Sequence, residues 1–103
     1  MADLPQFLSD LEGFDWDEHN ADKIWRRHDV VPSECEEVFS NAPHLVADPR
    51  HSEDEPRFIA LGESRTGRRL AIAFTVRGAR IRVVTARDQS RKERRELARA
   101  EET

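Results

Sequence analysis

The chain has 103 residues, 37% of them apolar and 37% charged, with a formal net charge of −4. That is one domain with one small core, and its most continuous apolar stretch, Leu70 to Val76, is far too short to cross a bilayer. A single cysteine, Cys35, excludes an internal disulfide and a cysteine-type zinc site, and a pI near 5.6 argues against a protein that coats nucleic acid non-specifically.

Leu4, Phe7, Leu8 and Leu11 recur at helical spacing and predict a short amphipathic helix, with Asp3 as cap. Because it is terminal, residues 1–13 are read as an extension, helical or disordered. Residues 14–103 are read as a single domain. Phe14 to Asp17 alternates apolar and acidic, which predicts a brief strand. Asp17 is a good N-cap for a helix over 18–28, with acid early and Arg26, Arg27 and His28 in its last turn, as the helix dipole favours. Ala21, Ile24, Trp25 and His28 fall on one face of it. A second helix spans 32–40, with Cys35, Val38 and Phe39 inward; it is capped by Val31 before Pro32, or by Ser33 with Glu36.

From His44 the period becomes two. Strands are predicted over 44–47, 57–62, 69–76 and 80–86, with a polar loop over 48–56 and turns at Ser64–Gly67 and Gly78. The last strand is expected to turn Ile81, Val83 and Thr85 to one face and Arg80, Arg82 and Val84 to the other. Short loops make the last three strands an antiparallel meander. Ser90-Arg91-Lys92-Glu93 is a capping box opening a charged helix to about Ala100. The fold class is α+β: a small antiparallel sheet, a meander plus short N-terminal strands, packed by two N-terminal helices.

Charge is divided along the chain. Residues 1–56 carry four Lys/Arg against fifteen Asp/Glu, and residues 57–103 carry thirteen against six. Fifteen of the seventeen basic residues are arginine, which suits bidentate contact with phosphate or carboxylate. Pairing between the two halves is the competing reading.

No P-loop, dinucleotide fingerprint, serine elbow or paired metal ligands occur in the sequence. His28 closes a helix, and histidine ordinarily ionises near neutral pH, which suits a general acid or base. A histidine capping its own helix is the alternative. Arg80 and Arg82 lie two apart on one strand, Arg57 opens a neighbouring strand, and Arg87 closes the last. Arginines converging on one sheet face could hold a phosphoryl group as charge builds up on it; a solvated face, or pairs with Glu63 and the acids of the first half, would use the same residues. Glu93 is explained as the capping-box partner. Trp16 and Trp25 could stack on bases, but both follow the core pattern.

Phe14-Asp15-Trp16-Asp17-Glu18-His19-Asn20, Arg27-His28-Asp29-Val30, Pro32-Ser33-Glu34-Cys35-Glu36-Glu37-Val38-Phe39, Arg57-Phe58-Ile59 with Leu61-Gly62, and Arg80 through Arg95 stand in an order and spacing that resembles the BrnT toxins. The resemblance covers about residues 14–97. It implies a RelE-like fold and a cytoplasmic, metal-independent endoribonuclease toxin of a type II toxin–antitoxin pair, which inhibits translation and uses no cofactor. Its partners would be an RNA substrate and a ribbon-helix-helix antitoxin of BrnA type, with operator DNA bound only through the antitoxin complex. His28, Arg57, Arg82 and Arg87 fall on motif positions: His28 as general acid or base, Arg57 and Arg82 holding the scissile phosphate, and Arg87 positioning substrate or supporting the sheet. Arg80, Arg91, Lys92 and Arg94 would contact RNA. Asn20, Ile24 and Asp29 depart from the family, where Lys, Asn and Gly are usual. A catalytically silent binding module of the same fold, or a nucleic-acid-binding domain without chemistry, is the alternative.

Overall fold

The computed structural model of the chain describes residues 11–48 and 55–102. The helix expected over residues 4–11, Leu11 excepted, and most of the loop expected over 48–56 lie outside them. The element order is β1 (Gly13–Phe14), α1 (Glu18–His28), α2 (Pro32–Ser40), β2 (His44–Ala47), β3 (Arg57–Glu63), β4 (Arg69–Arg77), β5 (Arg80–Asp88) and α3 (Arg91–Glu101). The α+β class holds, and one five-stranded sheet runs β1-β5-β4-β3-β2. β2 to β5 pair antiparallel in sequence order, and β1 adds a parallel edge through Gly13–Arg80 and Phe14–Ile81.

The first strand is shorter than its alternation suggested because Asp17 is already the N-cap of α1. Its carboxylate accepts from the Asn20 backbone N–H at 3.0 Å, and the Asn20 side-chain oxygen accepts from the Asp17 N–H at 2.8 Å. The Asn20 amide then donates to the carbonyls of Asp15 and Val83, at 3.1 and 3.2 Å, pinning the start of α1 to β5. Asn20 is buried, and every polar group it carries there is matched.

α1 ends on Asp29 at φ 59°, the left-handed C-cap position that glycine adopts at least cost. The Asp29 and Val30 N–H groups bond back to the Trp25 and Ile24 carbonyls. For α2 the capping alternatives resolve onto Val31: Pro32 is the first helical residue, and Glu34 accepts from the Val31 N–H at 3.0 Å.

Ile24, Val30, Cys35 and Val38 pack onto one sheet face, formed by Ala60, Leu70, Ile72, Phe74, Ile81, Val83 and Ala86. Phe39 meets Phe74 edge-on at 5.0 Å and Phe14 at 5.5 Å. Trp16 packs partly against this core and donates to Glu36 at 2.8 Å. Trp25 does not join it. Asn20 and Ile24, four residues apart, take the inward stripe, and Trp25, one residue further round, is 53% exposed.

Gly62 lies on the same core face, where α2 comes closest to β3. A Cβ there would stand 3.0 Å from Val38 Cγ1 and 3.3 Å from Pro43 Cβ. Gly62→Ala is therefore expected to destabilise by about 1–2 kcal/mol through overpacking, read as a lower midpoint of urea unfolding. An unchanged midpoint would mean that α2 shifts freely.

One irregularity shapes the other face. Ala73 pairs with Thr85 and Phe74 with Val83, so Val84 is an extra residue, a β-bulge. Up to Val83 the expected alternation holds; beyond it the alternation reverses, and Ala86 rather than Thr85 is buried in the core.

Candidate functional site

The sheet face away from α1 and α2 carries the arginines. Arg57 pairs with Thr75, and Thr75 with Arg82, so the three form one row across β3, β4 and β5. The row continues to both edges, since the Asp48 N–H bonds to the Arg57 carbonyl and Asp15 lies beside β5 with its N–H on the Ile81 carbonyl. Adjacent strands lie about 4.8 Å apart, which sets the Cα atoms of Arg57 and Arg82 roughly 10 Å apart with Thr75 between them.

Arg82 is mostly buried, its side chain 16% exposed. It stands 3.4 Å from the Asp15 carboxylate and donates to that of Asp17 at 2.9 Å. The Asn20 backbone N–H and the Arg82 guanidinium hold the Asp17 carboxyl below its ordinary range, and Asp17 in turn pushes Arg82 up. At the centre of the row Thr75 is 3% exposed, and its hydroxyl finds no hydrogen-bond partner among the described residues.

Two residues further along β2, β3 and β4, and three along the bulged β5, Val46, Ile59, Ala73 and Thr85 form an uncharged row, and beyond it come His44, Leu61, Ala71 and Arg87. Arg82 and Arg87 are five apart, a spacing that places two residues of a regular strand on opposite faces. The bulge at Val84 puts them on the same one. His44, half-buried with a sealed Nδ1 that finds no hydrogen-bond partner among the described residues, shares this face; its place there follows from register and carries no mark in the sequence.

Arg87 forms a fork-to-fork pair with Glu93, at 2.6 and 2.9 Å. Burial pushes the Glu93 carboxyl up, but Arg87 and the Ser90 backbone outweigh it, leaving it below the usual 4.5. A carboxyl lowered by folding stabilises above its unfolded pKa, and that contribution is lost as pH falls through the folded value. The stability gap between the native chain and Glu93→Gln is therefore expected to be full at pH 7 and to close below about pH 4.5, measured by thermal unfolding across pH. A gap independent of pH would assign Glu93 a capping role alone.

His28 does not join the arginines. α1 begins beside Arg82, where Asp17 caps it, and ends about 16 Å further on, on the opposite face of the sheet. There the His28 carbonyl accepts from Arg68 at 3.0 Å, and the imidazole lies near enough to Asp88 to act on its ionisation. Arg68 is the centre of this end of the molecule. It bonds the His28 and Asp29 carbonyls, Asp88 at 2.9 Å and Glu34 at 3.2 Å, and it depresses the Asp88 carboxyl. Sequence reasoning missed it, because a turn residue outside any periodic pattern gives no sign of four distant partners.

The remaining expected RNA contacts are peripheral. Arg80 is exposed two residues from Arg82 on the same face. Arg91, Lys92 and Arg94 are exposed on α3, and Arg94 lines a depression with Glu63, Arg69 and Gln89 where α3 meets the sheet. Pairing between the two charge halves is real at Arg82–Asp15, Arg82–Asp17, Arg68–Glu34 and Arg77–Glu55. Burial, with Glu34 and Glu36 adding to it, pushes the Cys35 thiol up to about 12, which removes it as a nucleophile at neutral pH. Among the described residues, no group of three or more His, Cys, Asp or Glu could hold a metal ion, and no helix is long and apolar enough to cross a membrane.

Residues 16–93 match a family model described as "Ribonuclease toxin, BrnT, of type II toxin-antitoxin system". That span contains Arg57, Thr75, Arg82, Arg87 and Glu93. No curated protein matches the chain.

Proposed function

The chain belongs to the BrnT family, ribonuclease toxins of type II toxin–antitoxin systems, and from that membership we propose that it cuts RNA on its arginine face without a metal ion. The observation that carries this reading is the row in which Arg57 and Arg82 flank Thr75. Two guanidiniums roughly 10 Å apart at their Cα atoms can converge on one phosphodiester through side chains of that length. The RNA 2′-hydroxyl attacks the adjacent phosphorus in line, the bond to the 5′-oxygen of the next nucleotide breaks, and a 2′,3′-cyclic phosphate and a 5′-hydroxyl result. Negative charge rises on the non-bridging oxygens during this step, where the two arginines act on it. Arg87, forked onto Glu93, braces the start of α3 against the sheet. Arg80, Arg91, Lys92 and Arg94 extend the basic surface for the flanking RNA. His28 lies outside this reading, because a phosphate held by Arg82 is a helix length and a sheet away from it.

Family membership implies an antitoxin partner. In this proposal the partner is a ribbon-helix-helix protein of BrnA type, operator DNA is bound only through the complex, and the toxin acts on RNA in the cytoplasm to inhibit translation.

The internal pairing of Arg82 and Arg87 with carboxylates favours a second reading, a module of this fold that holds its partner and cuts nothing. The test is incubation of the purified full chain, free of antitoxin, with mixed-sequence RNA in EDTA. Fragments ending in 2′,3′-cyclic phosphate support the ribonuclease. A folded chain that leaves both free and ribosome-bound RNA intact leaves the binding module.

A further inference from the structure

We propose that Thr75 is the third phosphate contact of this site, its hydroxyl donating to a non-bridging oxygen of the phosphodiester that Arg57 and Arg82 hold. The proposal rests on the ribonuclease reading and adds to it a residue that sequence reasoning did not single out. Three observations lead to it. Register sets Thr75 directly opposite both arginines, on the same face of the sheet. Its hydroxyl is sealed from solvent with no partner among the described residues, a state that buried polar groups rarely keep unless something arrives to satisfy them. Packing also gives no reason for the oxygen. Its neighbours on this face of β4 are Ala73 and Arg77, the latter paired with Glu55, and valine would fill the same space with equal strand propensity and no unsatisfied group.

In the free chain Arg82 is held by Asp15 and Asp17. When a phosphate arrives, the guanidinium exchanges carboxylate oxygens for phosphate oxygens, and one of these settles over Thr75 within reach of Oγ1. The hydroxyl then points its proton at the atom on which charge grows as the 2′-oxygen attacks. A donor placed there acts more strongly on the transition state than on bound RNA. Its loss therefore falls on kcat, with KM little changed.

The experiment compares the native chain with Thr75→Val and Thr75→Ser in two assays. In cleavage of RNA in EDTA, Thr75→Val is expected to lose about 30–100-fold in kcat with KM within a few-fold, and Thr75→Ser to stay within a few-fold of native in both. In thermal unfolding with and without inorganic phosphate, the native chain and Thr75→Ser are expected to gain Tm from phosphate, and Thr75→Val, which keeps both arginines, to gain less. Should Thr75→Val fail to fold, Thr75→Ala also lacks the hydroxyl and is read the same way. Native-like cleavage and a native-like phosphate response in the valine variant would overturn the proposal while leaving the ribonuclease intact. So would equal losses in the valine and serine variants, which mark a structural role. If the native chain cuts no RNA but the phosphate response follows the hydroxyl, the ribonuclease reading fails and the anion contact stands. If phosphate stabilises none of the chains and none cuts RNA, both fail.

Discussion

Replacing Arg82 with alanine is expected to lower RNA cleavage by about 10²–10³-fold while leaving the chain folded. The size follows from what the guanidinium does in the proposed reaction. It is a charged donor fixed by the strand beneath it, and it meets the phosphate at the point of greatest charge. Its removal also leaves Asp15 and Asp17 without their cation at the edge of the row, so incoming RNA meets two bare carboxylates. The fold loses little, since those carboxylates are 39% and 49% exposed, and water screens ion pairs with partners so open to it. Arg82→Lys is expected to recover only part of the rate, because an ammonium cannot present two parallel donors. Single-turnover cleavage, beside near-ultraviolet circular dichroism of each variant, measures both claims. Native-like cleavage by a folded Arg82→Ala would remove the row from the mechanism.

Arg68→Ala is expected to be the most damaging polar substitution for stability, at about 2–3 kcal/mol and a fall in Tm of roughly 10–20 °C. The ion pair with Asp88 is not the main reason, since Asp88 is 66% exposed and water screens it. The damage comes from the half-buried side. Alanine would strip donors from the last carbonyls of α1, at His28 and Asp29, and from Glu34, whose side chain is 21% exposed. Lysine keeps the charge but cannot reach two carbonyls and two carboxylates from one planar group, so Arg68→Lys is expected to restore less than half of the loss. A fall of only a degree or two in Arg68→Ala would mean that solvent replaces the guanidinium at every partner.

Much of this architecture can be read from the residues. Asp17 and the Ser90–Glu93 box mark helix starts because capping is local, and the run from Arg69 to Val76 marks a strand because burial repeats every second residue. The same reasoning put Arg57 and Arg82 on one sheet face, although their strands are not neighbours: β4 stands between them. It failed where position depends on distant partners. Helical spacing puts Trp25 in the core, but Asn20, a polar residue outside that apolar stripe, holds the inward place instead through a bond to β5. His28 and the arginines were grouped by chemistry, and only the packing of α1 on the other face separates them. Thr75 drew no notice because a threonine in a strand is ordinary until its register and its unmatched hydroxyl are known.

The extra residue at Val84 has a consequence for comparing this chain with its relatives. It acts as a parity switch in β5: inward positions are odd-numbered before it and even-numbered after it. The separation of Arg82 from Arg87 must therefore stay odd while the insertion is kept, and becomes even if it is lost. A relative with one residue fewer between these two arginines would present the same surface with a regular strand. A relative with the same count and no distortion would turn one arginine into the core. A gap of one in an alignment at this point thus need not signal divergence of the surface, and an ungapped match alone would not guarantee its conservation.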